Sequence, residues 1–237
     1  TELVVVGAGP GGYAAAFRAA DLGKQVVLVD RDPELGGVCL NRGCIPSKAL
    51  LHISKVMDEA MHLEKMGVKY GKPDIDIDQM RDHKNKIVSQ LNRGIVQMAN
   101  ARKVETIQGL ASFVSNTKLK VQTNTGDVTI IFGQCIIAGG STSAMIPGVP
   151  TDHPSVITSR TALDLEDIPE KLLVVGGGAI GLELGQVYAA FGTKVSIVEY
   201  LPNLLPGTDS DLVKPLQRKL KKQCEAIQLS SKVTKVE

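Results

Sequence analysis

The chain has 237 residues, enough for one large domain or two ordinary ones, each with its own core. Hydrophobic residues make up 43% and charged residues 22%, a soluble globular balance, and the net charge of +2 is spread without a basic stripe for nucleic acid. No apolar run approaches the length of a membrane span, and the chain enters a strand pattern at once, so neither a membrane partner nor a targeting peptide is expected.

Residues 2–30 read ELVVVGAGPGGYAAAFRAADLGKQVVLVD: a strand, a glycine turn, an Ala-rich helix, a second strand and a carboxylate. Gly7, Gly9 and Gly12 have G-x-G-x-x-G spacing, and Asp30 closes the unit. This is the dinucleotide fingerprint. The first glycine permits the tight turn, the second lets backbone approach a pyrophosphate, and the third lets helix pack on strand. The helix N-terminus offers free N–H groups and a partial positive charge to the phosphates. The acid is placed for ribose hydroxyls.

GVCLNRGCIPSK follows at residues 37–48, with Cys39 and Cys44 five apart. Four uses compete: a zinc site, a structural disulfide, unpaired thiols, and a pair that opens and closes. Zinc would need two more ligands, and His52, His62, His83 and His153 are separate, so no metal site is expected. In a regular helix, positions i and i+5 lie about 8.6 Å apart by Cα, whereas a disulfide needs about 4.4–6.8 Å. A bridge therefore requires a distorted turn, which Gly43 and Pro46 permit. Thiols near a helix N-terminus also favour the reactive thiolate.

Residues 45–66 have helical apolar spacing and stop at Gly67; residues 76–98 predict a second amphipathic helix. Residues 104–107, 119–121 and 128–132 read as short strands, the last two joined by a turn at 124–127. Residues 135–138 predict a buried strand ending at Gly139-Gly140, with Cys135 a buried small hydrophobe. Residues 141–154, rich in Ser, Thr, Pro and Gly, are the expected crossing between domains.

Residues 171–199, KLLVVGGGAIGLELGQVYAAFGTKVSIVE, repeat the opening pattern without a gap. Gly176, Gly178 and Gly181 match Gly7, Gly9 and Gly12, and Glu199 matches Asp30. An acid here disfavours a 2′-phosphate, which argues for NAD over NADP. A loop at 201–207, a helix at 209–223 and the start of a strand complete the chain; Cys224 is assigned no role. The fold class is α/β: two tandem Rossmann-like dinucleotide-binding domains, three-layer with parallel sheets, both incomplete.

The segment LGGVCLNRGCIPSKALL (residues 35–51) resembles the active-site signature of the flavin-dependent pyridine-nucleotide disulfide reductases, most of all their bacterial dihydrolipoamide-oxidising members. Mercuric reductases share much of this motif; glutathione reductases usually differ where Ser47 stands. The resemblance covers the whole chain. It implies an FAD-binding domain at 1–144 and an NAD-binding domain at 145–237. Gly7, Gly9, Gly12, Asp30 and Arg31 would hold FAD, with Gly36, Gly37, Val38, Cys39, Lys48, Ala111 and Gly140 also on its path. Cys39 would exchange with the dithiol, and Cys44 would be the thiolate against the flavin. Lys48 would pair with Glu183. Gly176, Gly177, Gly178, Ala179, Ile180 and Glu199 would hold NAD, with Val233 near its adenine.

The resemblance further implies a homodimer, lipoyl-bearing subunits of 2-oxo acid dehydrogenase or glycine cleavage complexes as partners, and a bacterial cytoplasm or mitochondrial matrix. Family members are roughly twice as long, and two of their later signature segments are missing from this sequence. The chain is therefore expected to be an N-terminal portion with little turnover alone. Arg42 stands where the family commonly has Val, and either adds a cation beside the thiols or faces solvent. Gly139-Gly140-Ser141 lacks the usual threonine before its second glycine. The rivals are another flavin disulfide reductase, of the mercuric or glutathione type, and a non-catalytic nucleotide-binding protein.

Overall fold

In the computed structural model, which describes residues 1–236, the apolar run LVVV becomes strand β1 (Leu3–Val6). Pro10 at the first helical position and Gly9 as N-cap start α1 (Pro10–Asp21). Then come β2 (Val26–Asp30), the short α2 (Gly37–Arg42), α3 (Cys44–His62) and α4 (Ile77–Ala101). The strands β3 (Glu105–Gln108), β4 (Leu110–Ser115), β5 (Lys118–Thr123), β6 (Gly126–Ile131) and β7 (Gln134–Ile137) follow. The later elements are β8 (Lys171–Val175), α5 (Ala179–Ala190), β9 (Lys194–Val198), α6 (Ser210–Gln223) and β10 (Ala226–Gln228).

The chain divides into two compact units. The first contains Thr1–Pro46 and Asn85–Thr142; the second contains Ser47–Lys84 and Ser143 onward. In the first unit a parallel sheet has the order β3-β2-β1-β7. Alternation along its strands feeds two faces. Leu3, Val5 and Leu28 bury with Ala16 and Phe17 of α1 and with Ile95 and Ala99 of α4. Val4, Val27 and Val29 bury against Leu119, Val121 and Ile130 of an antiparallel sheet, β4-β5-β6. Each such fully buried side chain contributes about 1.5–3 kcal/mol of transfer free energy.

Strand β4 was not anticipated from the sequence. Its pairing to β5 shifts register between Phe113 and Ser115, which breaks the alternation that marks a strand. Strand β7 differs from expectation in burial. It pairs with β1, and Ile136 and Ile137 are exposed rather than buried. Cys135 is half-buried, and burial pushes its thiol pKa up, as it does for Cys224.

The second unit holds the parallel sheet β10-β9-β8. Val195 and Ile197 bury with Leu182, Val187 and Tyr188 of α5, Val213 and Leu220 of α6, and Leu50 of α3. The other face of β8 leaves Leu173 and Val175 exposed, at 55% and 46%. Lys84 is buried in this unit and donates to the Leu163 carbonyl at 2.6 Å; burial lowers its pKa. Among the described residues no helix is long and apolar enough to cross a membrane.

Candidate functional site

Both glycine loops form between a strand end and a helix N-terminus, and their backbone bonds repeat. Gly7 N–H donates to Val29 O at 2.7 Å, and Gly176 N–H to Val198 O at 2.8 Å. Gly12 and Gly181 stand where a Cβ would lie 1.7 Å from Gly7 O and 2.5 Å from Gly176 O, so each helix seats on its loop only with glycine there. The N-caps Gly9 and Gly178 make no side-chain capping bond, and neither first turn holds an acid. A Cβ at Gly11, Gly176 or Gly178 would meet nothing within 4 Å. Donor groups thus face open space, an arrangement suited to a pyrophosphate.

The two acids do something the sequence did not reveal. Asp30 Oδ2 accepts from Ala8 N–H at 2.5 Å and Oδ1 from Asp32 N–H at 2.9 Å. Glu199 Oε2 accepts from Gly177 N–H at 2.6 Å and Oε1 from Leu201 N–H at 2.7 Å. Each acid clamps its glycine loop to the segment after the second strand. Glu199 is only 7% exposed, and these charge-assisted bonds compensate its burial. The second lone pair of each oxygen is what remains for ribose hydroxyls.

After each acid the chain straps back across the glycine loop. Gly36 N–H donates to Ala8 O at 2.8 Å, and Leu205 N–H donates to Gly177 O at 2.9 Å. The repeat therefore extends to residues 36 and 205, with Pro33 matching Pro202 and Leu35 matching Leu204. That proline–leucine correspondence was the signal available in the sequence.

The cysteines follow the first strap. Gly36 and Gly37 have φ of +108° and +59°, a left-handed path that turns the chain into α2. A Cβ at Gly37 would lie 2.5 Å from Gly9 Cα, so the start of α2 rests on the glycine loop. Cys39 is half-buried in α2, and Cys44 is exposed at the start of α3. Between them the helix breaks at Gly43 (φ −151°, ψ −109°), where a Cβ would meet Val38 O at 2.8 Å and Cys39 Cα at 3.4 Å. The distortion that a bridge requires falls at this glycine.

Of the two readings of Arg42, a cation beside the thiols or a residue facing solvent, the second is not met, for the side chain is partly buried. Its guanidinium pairs with the Asp32 carboxylate, both partly buried. In the second unit Lys48 Nζ donates to both carboxylate oxygens of Glu183 at 2.7 Å, so the pairing expected from the family pattern is present. Ser47, missed by sequence reasoning, is buried beside this pair with Oγ 3.4 Å from Glu183 Oε2.

Of the remaining expected contacts, Arg31 and Val38 are exposed in the first unit and Gly140 lies just past β7 with φ +70°. Ala111 is half-buried on β4. Ala179 and Ile180 are exposed in the first turn of α5, and Val233 is half-buried past β10.

A family model described as pyridine nucleotide-disulphide oxidoreductase matches residues 1–237. The chain is 45% identical over its whole length to the dihydrolipoyl dehydrogenase of Haemophilus influenzae, covering 50% of that protein. It is 42% identical to the mitochondrial dihydrolipoyl dehydrogenase of Pisum sativum, covering 48% of it. Among solved structures, the HOCl-induced flavoprotein disulfide reductase RclA from Escherichia coli superposes with a TM-score of 0.84 at 28% identity. That match covers 99% of this chain and 50% of the other. The chain thus spans about half the length of these relatives.

Proposed function

Because this chain belongs to the pyridine nucleotide-disulphide oxidoreductase family, we propose that the protein oxidises protein-bound dihydrolipoamide to lipoamide with NAD⁺, through FAD and a Cys39–Cys44 redox disulfide. The observation that carries this reading is the seating of the cysteine segment on the first glycine loop, through Gly36 N–H to Ala8 O and the close approach of Gly37 to Gly9. The names of the relatives supply the substrate class.

In this reading residues 1–144 serve FAD and residues 145–237 serve NAD. The N–H groups of Gly9, Gly11 and Gly12 at the start of α1 hold a pyrophosphate, and Asp30 keeps the loop Gly7–Gly12 closed. Within the loop Gly176–Ile180 the N–H groups of Gly178, Ala179 and Ile180 at the start of α5 do the same for NAD, with Glu199 as the clamp. One thiolate of the substrate attacks Cys39 Sγ; the Cys39–Cys44 bond breaks and Cys44 leaves as a thiolate. The second substrate thiol then attacks the mixed disulfide, closing lipoamide and returning Cys39 as a thiol. Two electrons have passed from the substrate to the cysteine pair. Bound FAD supplies a two-electron carrier, and NAD⁺ the terminal hydride acceptor. Lys48, held by both oxygens of Glu183, is the cation assigned to favour the electron-rich form of the carrier.

The whole protein is assigned as a homodimer serving lipoyl-bearing subunits of a 2-oxo acid dehydrogenase or glycine cleavage complex, in the cytoplasm of a bacterium or a mitochondrial matrix. Anaerobic titration of the complete protein with dihydrolipoamide tests the chemistry. A long-wavelength thiolate-to-flavin band should rise with the first two electrons and vanish in Cys44→Ser. Bleaching without that band would leave a binder only. Turnover of mercuric ion or glutathione disulfide in preference to dihydrolipoamide would move the protein to a rival branch of the family.

A further inference from the structure

The six residues of α2 carry Cys39 yet are too few to hold a helix by their own hydrogen bonds. Their position must come from tethers. Leu40 is buried and anchors the inner side. Asn41 Nδ2 donates back to Leu35 O at 3.1 Å and lies 3.4 Å from Glu34 O. Arg42 grips Asp32. Besides the strap bond to Ala8, a side-chain tether comes from outside this loop: Asn92, whose Nδ2 also donates to Leu35 O and stands 3.5 Å from Asn41 Oδ1. Asn92 sits on α4, which is fixed by Ile95 and Ala99 in the core of the first unit.

The two straps are held differently. In the second copy Leu204 is sunk in the core at 1% exposure. In the first, the matching Leu35 is only half-buried, and its carbonyl receives two amide donors instead. Polar, directional bonds replace apolar burial in the copy that continues into the cysteines. Such bonds fix orientation, which burial alone does not.

We propose that Asn92 is a positioning residue for the redox pair: through the Leu35 carbonyl and Asn41 it sets where Cys39 stands against the first glycine loop. The role assigned to the pair rests on the reading above; the placement of the segment does not. Gly36, next in the chain after Leu35, bonds Ala8, and Gly37 touches Gly9, so a shift at Leu35 passes directly to α2. Displacements near 1 Å at a reacting group cost on the order of 100-fold in rate.

The test uses the complete flavoprotein with Asn92→Leu, which deletes the donor at similar volume, and Asn92→Asp, which keeps the shape. Arg93→Ala, on the neighbouring exposed position, is the control. Two readouts apply at unchanged flavin content and melting temperature: the thiolate-to-flavin band after two-electron reduction, and the ratio of Cys39 to Cys44 alkylation by iodoacetamide, read by peptide mass spectrometry. The band should fall to half or less, and the alkylation ratio should change about threefold or more, with a rate loss approaching the misplacement range. The Arg93→Ala control should match the unaltered protein. Band and ratio both equal to those of the unaltered protein in both variants would overturn the proposal. If the unaltered protein itself shows no band, the redox reading fails, and the alkylation ratio still decides whether Asn92 places the segment.

Discussion

Residues 2–36 and 171–205 are two versions of one device, and their differences are more instructive than their likeness. Strand pairing is shared, with Leu3 opposite Val26 and Leu172 opposite Val195. So are the acid clamp and the returning strap. The difference lies in what the strap does next. In the first copy it passes through Gly36 and Gly37 and launches the cysteine helix. In the second it ends in a plug: Leu204 fills the core beside Gly177, and Leu205 takes a left-handed φ of +48°. The first copy carries Ala8 where the second needs Gly177, since a Cβ at 177 would lie 2.6 Å from Leu204 Cδ2. One scaffold therefore supports a launch point and a seal, and the residue under the strap records which.

The hardest way to break the comparison is at the launch point. Gly37→Ala places a Cβ on Gly9 in a left-handed backbone and should cost about 3 kcal/mol or more, with loss of retained flavin. Gly178→Ala faces open space and should cost about 1 kcal/mol or less. Thermal melts and the flavin-to-protein absorbance ratio check both. Equal losses would mean that Gly37 does not bear on Gly9.

The clamps come next. Glu199→Gln turns an amide N–H₂ or a weaker acceptor toward two backbone donors in a buried place and should cost about 2 kcal/mol. Asp30→Asn, at a half-buried site, should cost about half of that. Urea denaturation of the two variants measures the ratio.

A smaller effect is expected at the seal. Gly177→Ala should cost about 1–2 kcal/mol by overpacking, and adding Leu204→Ala should yield a double-mutant coupling energy of opposite sign. Additivity would show that strap and loop do not touch.

The smallest effect sharpens a difference between the helices. Tyr188 stands where the first copy has Ala19, and its hydroxyl donates to Ala162 O at 2.8 Å. Tyr188→Phe should cost about 1 kcal/mol at neutral pH. Burial, helped by Asp167, Asp164 and Glu166, pushes the Tyr188 pKa up to about 12. The folded value lies above the free value of about 10, so this contribution is whole below pH 10 and is lost as pH rises toward 12. The deficit of Tyr188→Phe should accordingly shrink across that window.

Much of this was legible in the residues because it is local. Glycine spacing, strand alternation and the acid at each strand end dictate the two glycine loops, and GVCLNRGC announces its break at Gly43. What was not legible depends on contacts far apart in sequence. Asn92 looks like any polar residue on an amphipathic helix until α4 brings it to Leu35. Arg42 finds Asp32 across a turn whose path two positive φ values determine. The clamp role of Asp30 and Glu199 is hidden because the same acid at the same spacing serves a ribose equally well.

The bare side of β8 has a practical consequence. Parallel strands normally carry a cover on each side, and here Leu173 and Val175 meet water. A polypeptide limited to these residues should clump as its concentration rises, in the manner of surfaces with contiguous apolar area. Light scattering of the purified chain, with and without Leu173→Lys, would set the concentration at which its solution behaviour can be trusted.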